Sequence, residues 1–238
     1  MNRVEIMDIP FINERKETLL NQIYQAVENN DKQFIVTANP EIVMKTRADR
    51  AYKHIVQSAD YVVPDGIGIL LAAKRYKTPL KERIPGVELM ESMLSYANKY
   101  RKTCYFLGAE DKVNQALIKK IKMHYPDLII GGYHHGFFEL DDEAIVEDVK
   151  RSNADFVFVA LGFPRQENWI NQHFAFFEKG VFMGVGGSFD VLSDTVKRAP
   201  AIWIKLNLEW LYRIVKQPTR AFRVLDVVKF IILTILKK

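Results

Sequence analysis

Gln33-Phe34-Ile35-Val36-Thr37-Ala38-Asn39-Pro40-Glu41 is the stretch that decides the fold. From Gln33 to Thr37 the apolar residues run without alternation, as in a strand buried on both faces. Asn39 then supplies an N-cap, and Pro40 has the fixed φ that suits a first helical position. A helical pattern follows from Glu41 to Gln57. A doubly buried strand that runs into a capped helix is one unit of a parallel sheet, because parallel neighbours need a crossover between them.

The unit recurs along the chain. Strands are predicted at Tyr61–Val63, Thr103–Leu107, Leu128–Ile130, Phe156–Ala160 and Val181–Val185. Helices are predicted at Gly66–Arg75, Gly86–Tyr100, Asp111–His124, Asp141–Arg151 and Arg165–Phe177. The expected fold class is α/β: a Rossmann-like, largely parallel sheet with helices on both faces, spanning residues 1–194. In such sheets ligands bind beyond the carboxyl ends of the strands, so the loops there are the places to look for chemistry.

Five loops follow predicted strands: Thr37–Glu41, Pro64–Gly68, Leu107–Asp111, Leu161–Glu167 and Gly184–Asp190. Glycines before helix starts let backbone N–H groups approach an anion, which suits phosphate, although Gly108 and Gly162 also fit plain tight turns. Together the loops suggest a nucleotide or nucleotide-sugar site. The Gly-x-Gly-x-x-Gly dinucleotide fingerprint and the Walker phosphate loop are both missing. Asp65, between Pro64 and Gly66, has two readings: a general base on a rigid strand end, or a cap for the helix that starts at Gly66. Arg83, ahead of Pro85-Gly86, is a candidate for neutralising phosphate or a plain surface residue.

No metal is expected. The chain has no Asp-x-Asp, Asp141-Asp142 reads as a helix cap, and His134-His135 lacks further ligands at zinc spacing. Cys104, the one cysteine, sits in an apolar strand and reads as core in a reducing compartment. Met1–Pro10 has no apolar h-region, which predicts no signal peptide and a cytoplasmic protein.

Charge divides the chain in two. Residues 195–238 carry ten Lys/Arg against two acids, net +8, and the other 194 residues carry 24 basic and 27 acidic side chains, net −3. This tail is also apolar: Trp203, Leu206, Trp210 and Ile214 repeat at helical spacing, and Arg213, Lys216, Arg220 and Arg223 share much of another face. Phe230–Leu236, flanked by lysines, is too short to span a bilayer but suits lying in an interface. The tail therefore reads as a basic amphipathic appendage for an anionic membrane surface. Its apolar content argues against nucleic acid as partner.

Taken together, Thr37–Glu41, Pro64–Gly68, Arg83–Met90, Phe106–Ala109, Ala160–Glu167 and Gly184–Asp190, followed by Lys197–Pro200 and Leu208–Arg213, resemble the WecG/TagA/CpsF glycosyltransferases in order and spacing, most closely the TagA branch. The resemblance covers about residues 4 to 225. It implies an inverting enzyme without cofactor or metal. Such an enzyme moves N-acetylmannosamine from its UDP donor to the 4-hydroxyl of N-acetylglucosamine on diphospho-undecaprenol, the committed step of the wall teichoic acid linkage unit. Relatives that use N-acetylmannosaminuronic acid or glucose leave the donor open, and a nicotinamide-dependent oxidoreductase is the alternative on the same sheet.

The resemblance also implies roles. Asp65 is the base, Thr37 and Asn39 hold the donor sugar, and Arg83 faces phosphate or acceptor. Gln166 contacts the nucleotide sugar, and Gly186-Gly187-Ser188 meets the diphosphate through backbone N–H groups. Separately from the resemblance, the basic charge gathered in the tail leads to the expectation that one or more of Arg213, Arg220 and Arg223 reach the leaving diphosphate. A homodimer through the apolar stretch Gly68–Ala73 is compatible with the sequence, which equally allows that stretch to be core.

Overall fold

The structure, a computed structural model, describes residues 2–196, Pro200, Trp203 and 221–236, with side chains from Val224 onward in the last segment. Six parallel strands form its centre, in the order β4-β3-β8-β7-β5-β6: β3 (Lys32–Ala38), β4 (Tyr61–Pro64), β5 (Thr103–Gly108), β6 (Ile129–His134), β7 (Phe156–Ala160) and β8 (Gly180–Gly184). The expected α/β class is the one observed.

Successive strand residues divide between the two faces, as a period of two requires. Val157 and Val159 of β7 join one apolar cluster while Phe156 and Phe158 join the other, and Tyr105 and Leu107 of β5 part from Cys104 and Phe106 in the same way. The first face carries α2 (Pro40–Ala48), α3 (Arg50–Ser58), α4 (Ile67–Arg75), α7 (Glu143–Arg151) and α8 (Arg165–His173). The second carries α1 (Lys16–Asn29), α5 (Gly86–Tyr100), α6 (Asp111–His124) and α9 (Ser188–Leu192). Cys104 is fully buried, and burial pushes its thiol up.

Three expectations need correction. The helix predicted over Glu41–Gln57 is two helices, because Asp49 is extended (φ −135°, ψ 105°) and its side chain accepts the Tyr52 N–H at 3.0 Å, which caps a new helix. The helix predicted to reach Phe177 ends at His173 and gives way to a 3₁₀ turn, Phe174–Phe176. An antiparallel hairpin, β1 (Arg3–Ile6) and β2 (Ile9–Ile12), was not expected. Its turn residues Met7 and Asp8 both have positive φ, 50° and 65°, without the Asn-Gly or Asp-Gly signal of such turns.

A last helix, α10 (Ala221–Leu236), packs on α2 and α4. Phe230 is 1% exposed at this contact, and Thr234 turns its hydroxyl inward onto the Phe230 carbonyl at 2.8 Å. Within Gly68–Ala73, Ile69, Ala72 and Ala73 are core, while Leu71 is exposed. Gly68 lies against Pro40 and Phe230. Among the described residues no helix is long and apolar enough to cross a membrane. Beyond Trp203, the predicted stripe of Leu206, Trp210 and Ile214 lies outside the described residues, as do Arg213, Lys216 and Arg220. Arg223 lies in the backbone of α10, with its side chain outside the described set.

Candidate active site

A cleft of about 1050 Å³ runs along the carboxyl edge of the sheet. Residues at or just after the ends of all six strands line it: Thr37 in β3 and Asn39 after it, Asp65 to Gly68 after β4, Ala109 and Glu110 after β5, Gly136 and Phe137 after β6, Gly162, Phe163, Arg165 and Gln166 after β7, and Val185 to Ser188 after β8. Arg83 and Gly86 border it ahead of α5, and α10 closes one side with Val227, Phe230, Ile231, Thr234 and Ile235. Seven of the predicted site residues (Thr37, Asn39, Asp65, Arg83, Gln166, Gly186 and Gly187) thus meet in one cleft. Of the tail arginines, Arg213 and Arg220 lie outside the described residues.

Asp65 owes its place to β4, whose residues are all buried. Its own N–H donates to the Ala38 carbonyl at 3.0 Å, which locks the end of β4 to the end of β3. The Pro64 carbonyl accepts from Ile84 N–H at 2.9 Å, bringing the Arg83–Gly86 segment alongside. The carboxylate faces Gly86, whose N–H reaches Oδ2 at 3.4 Å. Asp65 is not the cap of α4: Gly66 holds that position at φ 101°, and no side chain caps the helix. A Cβ on Gly86 would stand 3.0 Å from Thr37 Oγ1, so the absence of a side chain there keeps Thr37 and Asp65 close to α5.

Thr37 donates its hydroxyl to the Gly184 carbonyl at 3.3 Å. Asn39 caps α2 as expected, its Oδ1 accepting from Ile42 N–H at 3.0 Å. That bond turns the side-chain NH₂ into the group Asn39 can offer a ligand.

On the neighbouring β7–β8 side the polar groups are committed to one another. Gln166, 4% exposed, donates from Nε2 to Glu167 Oε1 at 2.7 Å and accepts Gly186 N–H on Oε1 at 3.0 Å. Glu167 is fully buried and takes the Tyr52 hydroxyl on Oε2 at 3.1 Å. Burial raises the Glu167 carboxyl above its ordinary value, against the lowering effect of bonds from Gln166 and Tyr52. Burial first, and then the Glu167 charge, push the Tyr52 phenol far up. Gly184 admits this pair, for a Cβ there would lie 2.7 Å from Gln166 Nε2 and 3.1 Å from Glu167 Oε1.

The loop after β8 departs from expectation in one respect. The N–H groups of Gly186 and Ser188 already have protein acceptors, Gln166 Oε1 and the Val185 carbonyl (3.1 Å). What Gly186 offers is room: among the described residues, its chain neighbours aside, no atom lies within 4 Å of where its Cβ would be. Its φ of 50° is also one that glycine adopts without strain. Sequence reasoning missed Tyr52 and Glu167, for which a tandem Gln-Glu opening a helix was the only signal. It also missed the α10 wall and the loop after β6. His134 and His135 lie at that edge, with His134 Nδ1 2.8 Å from the His135 carbonyl. Among the described residues no group of three or more His, Cys, Asp or Glu gathers in metal-binding proximity.

The apolar rim of the cleft is exposed. Leu71 is 58% accessible, Phe137 72%, and Ile231 and Ile235 of α10 45% and 61%. These four side chains leave apolar surface exposed at the border of the cleft.

The model of the glycosyl transferase WecG/TagA/CpsF family matches residues 4–238. Similar relatives include proteins of Staphylococcus aureus strains NCTC 8325, COL and MRSA252, each 40% identical over 213 residues, which is 89% of this chain and 84% of the relative. Each of these relatives is named N-acetylglucosaminyldiphosphoundecaprenol N-acetyl-beta-D-mannosaminyltransferase.

Proposed function

The chain belongs to the WecG/TagA/CpsF family of glycosyl transferases, and from that premise we propose that it moves N-acetylmannosamine from its UDP donor to the 4-hydroxyl of N-acetylglucosamine on undecaprenyl diphosphate, with inversion and without a metal. The observation that carries the reading is the convergence of Asp65, Thr37, Asn39, Arg83 and Gln166 on one cleft at the carboxyl edge of a parallel sheet.

In this reading Asp65 is the general base. The acceptor's 4-oxygen attacks the anomeric carbon while its proton passes to the Asp65 carboxylate. The bond from the anomeric carbon to the diphosphate oxygen breaks, and its electron pair leaves with UDP. One displacement inverts the configuration and needs no enzyme nucleophile. Held by β3, β4 and the segment before α5, the carboxylate stands on rigid backbone, as a base should. Thr37 and the Asn39 NH₂ hold the donor sugar, Arg83 neutralises phosphate, and Gly186-Gly187 lets the diphosphate come close.

Residues 195–238 form, in the same reading, an appendage to the 1–194 catalytic body. Arg213, Arg220 or Arg223 completes the neutralisation of the diphosphate, and anionic lipid on the inner face of the membrane attracts the basic tail. The apolar rim at Leu71, Phe137, Ile231 and Ile235 supports this membrane contact, because the proposed acceptor is a lipid.

The test is transfer by the full chain from UDP-N-acetylmannosamine to a lipid-diphosphate-N-acetylglucosamine acceptor in EDTA, with the anomeric configuration of the product read by NMR. A β-linked product is expected, and Arg→Glu at positions 213, 220 and 223 should abolish it in at least one variant. Folded wild-type protein that makes product only with UDP-glucose or the uronic acid donor would move the donor assignment within the family. Product that disappears with EDTA would overturn metal independence.

A further inference from the structure

Among the described residues Glu167 is the one fully buried carboxylate, and the displacement written above does not use it. Its position is costly, since burying a carboxylate disfavours the charged form unless hydrogen bonds replace water. Two side chains donate to it, Tyr52 to Oε2 and Gln166 to Oε1. Gln166 in turn stands between two partners of opposite demand. An ionised carboxylate can only accept, and the backbone N–H of Gly186 can only donate. Those demands leave one orientation of the Gln166 amide, with NH₂ toward Glu167 and oxygen toward Gly186, and this is the orientation observed. Losing Glu167 would remove one of the two bonds that hold the amide against the Gly186 N–H.

We propose that Glu167 is a positioning residue, which fixes the Gln166 amide and through it the backbone at Gly186, so that a nucleotide diphosphate meets a loop already set to receive it. The statement about Gly186 stands on the geometry alone; the statement about the nucleotide rests on the glycosyl-transfer reading above. Val185 and Ser188 are held by bonds of their own, whereas Gly186, with positive φ and no side chain, is held through its N–H bond to Gln166. Gly184 shows that the arrangement is built in: any side chain there would collide with Gln166 and Glu167.

The experiment reads the two halves separately in the full-length protein. Amide hydrogen exchange at Gly186 reports the loop, with Val181 N–H, bonded to the Asp155 carbonyl, as internal control. UDP binding by calorimetry, and KM against kcat in the transfer assay, report the ligand. In Glu167→Ala, Gly186 exchange should accelerate about tenfold, the size of one lost hydrogen bond, with Val181 unchanged. UDP affinity should fall, and KM rise, by a similar factor while kcat holds. Glu167→Gln should restore most of both effects, since its carbonyl can accept from Gln166 and its NH₂ can donate to the Tyr52 oxygen.

Wild-type exchange at Gly186 in folded Glu167→Ala would overturn the proposal. Faster exchange with unchanged UDP affinity would overturn its ligand half. If wild-type protein binds no UDP, the glycosyl-transfer reading fails, and the exchange experiment still decides the role of Glu167 toward the loop. Should Glu167→Ala not fold, Tyr52→Phe removes only the Oε2 bond. It should accelerate Gly186 exchange by a smaller factor, about threefold, and no change there would equally overturn the relay.

Discussion

The two walls of the cleft hold their polar groups in different ways. On the β3–β4 wall two bonds of candidate reacting groups are long: Thr37 to Gly184 at 3.3 Å and Gly86 to Asp65 at 3.4 Å. On the β7–β8 wall they are shorter: Gln166 to Glu167 at 2.7 Å and Tyr52 to Glu167 at 3.1 Å, both buried, and Gly186 to Gln166 at 3.0 Å, part-buried. Long, half-exposed bonds are cheap to exchange for bonds to a ligand, while a satisfied buried network is costly to open. One wall is therefore suited to act, and the other to hold still.

The contrast is broken most sharply at Asp65. If Asp65 is the base, Asp65→Asn should lower kcat by about 10²–10⁴-fold, the usual worth of a positioned general base, and leave UDP affinity and thermal stability within error of wild type. The mirror-image result is expected on the other wall, where Glu167→Ala changes affinity and loop exchange and leaves kcat alone. Equal kcat losses from the two substitutions would erase the distinction between the walls.

Acid and base sharpen the same comparison. Burial raises the Glu167 carboxyl above its unfolded value of 4.5. For an acid raised in the folded state, the folded form holds more protons between the two values, so stability is fully present below the unfolded value and is lost as pH rises toward the folded one. Wild-type unfolding free energy should fall over that window, by at most about 1.4 kcal/mol per pH unit, and Glu167→Gln should remove that part of the slope. A chemical-denaturation series from pH 4 upward, run on both proteins, measures the difference. Identical slopes would mean that the buried carboxyl does not titrate there.

Much of this was legible in the sequence, and unequally so for the two walls. The β3–β4 wall is local: Asn39-Pro40 and Pro64-Asp65-Gly66 each give a turn and a functional candidate within a few residues, and both turns fell where expected. The β7–β8 wall is non-local. Tyr52 and Glu167 are 115 residues apart in the chain, and only the packing of α3 on α8 joins them. The glycines mislead in the same way. Gly184-Val185-Gly186-Gly187 reads as a phosphate loop, yet Gly184 is required by the Gln166–Glu167 pair behind it, and the Gly186 N–H goes to Gln166. The α10 wall was legible as an apolar segment, but not as part of the cleft. Its contact needs the Pro40–Gly68 surface that only the folded body creates.

Asn39 offers the finest cut, because in the proposed reading one side chain serves structure and ligand with different atoms. Its Oδ1 caps α2, and in that reading its NH₂ meets the donor. Asn39→Asp keeps an equally good cap and replaces the NH₂ by a second oxygen, whereas Asn39→Ala removes both. The alanine variant should lose about 1 kcal/mol of stability, and the aspartate variant close to none. Both should weaken donor binding, aspartate the more, since it adds charge repulsion toward a diphosphate sugar. Stability and UDP-sugar affinity measured on the same pair thus separate cap from contact. If aspartate binds the donor as wild type does, Asn39 belongs to the scaffold, and the acting wall narrows to Thr37, Asp65 and Arg83.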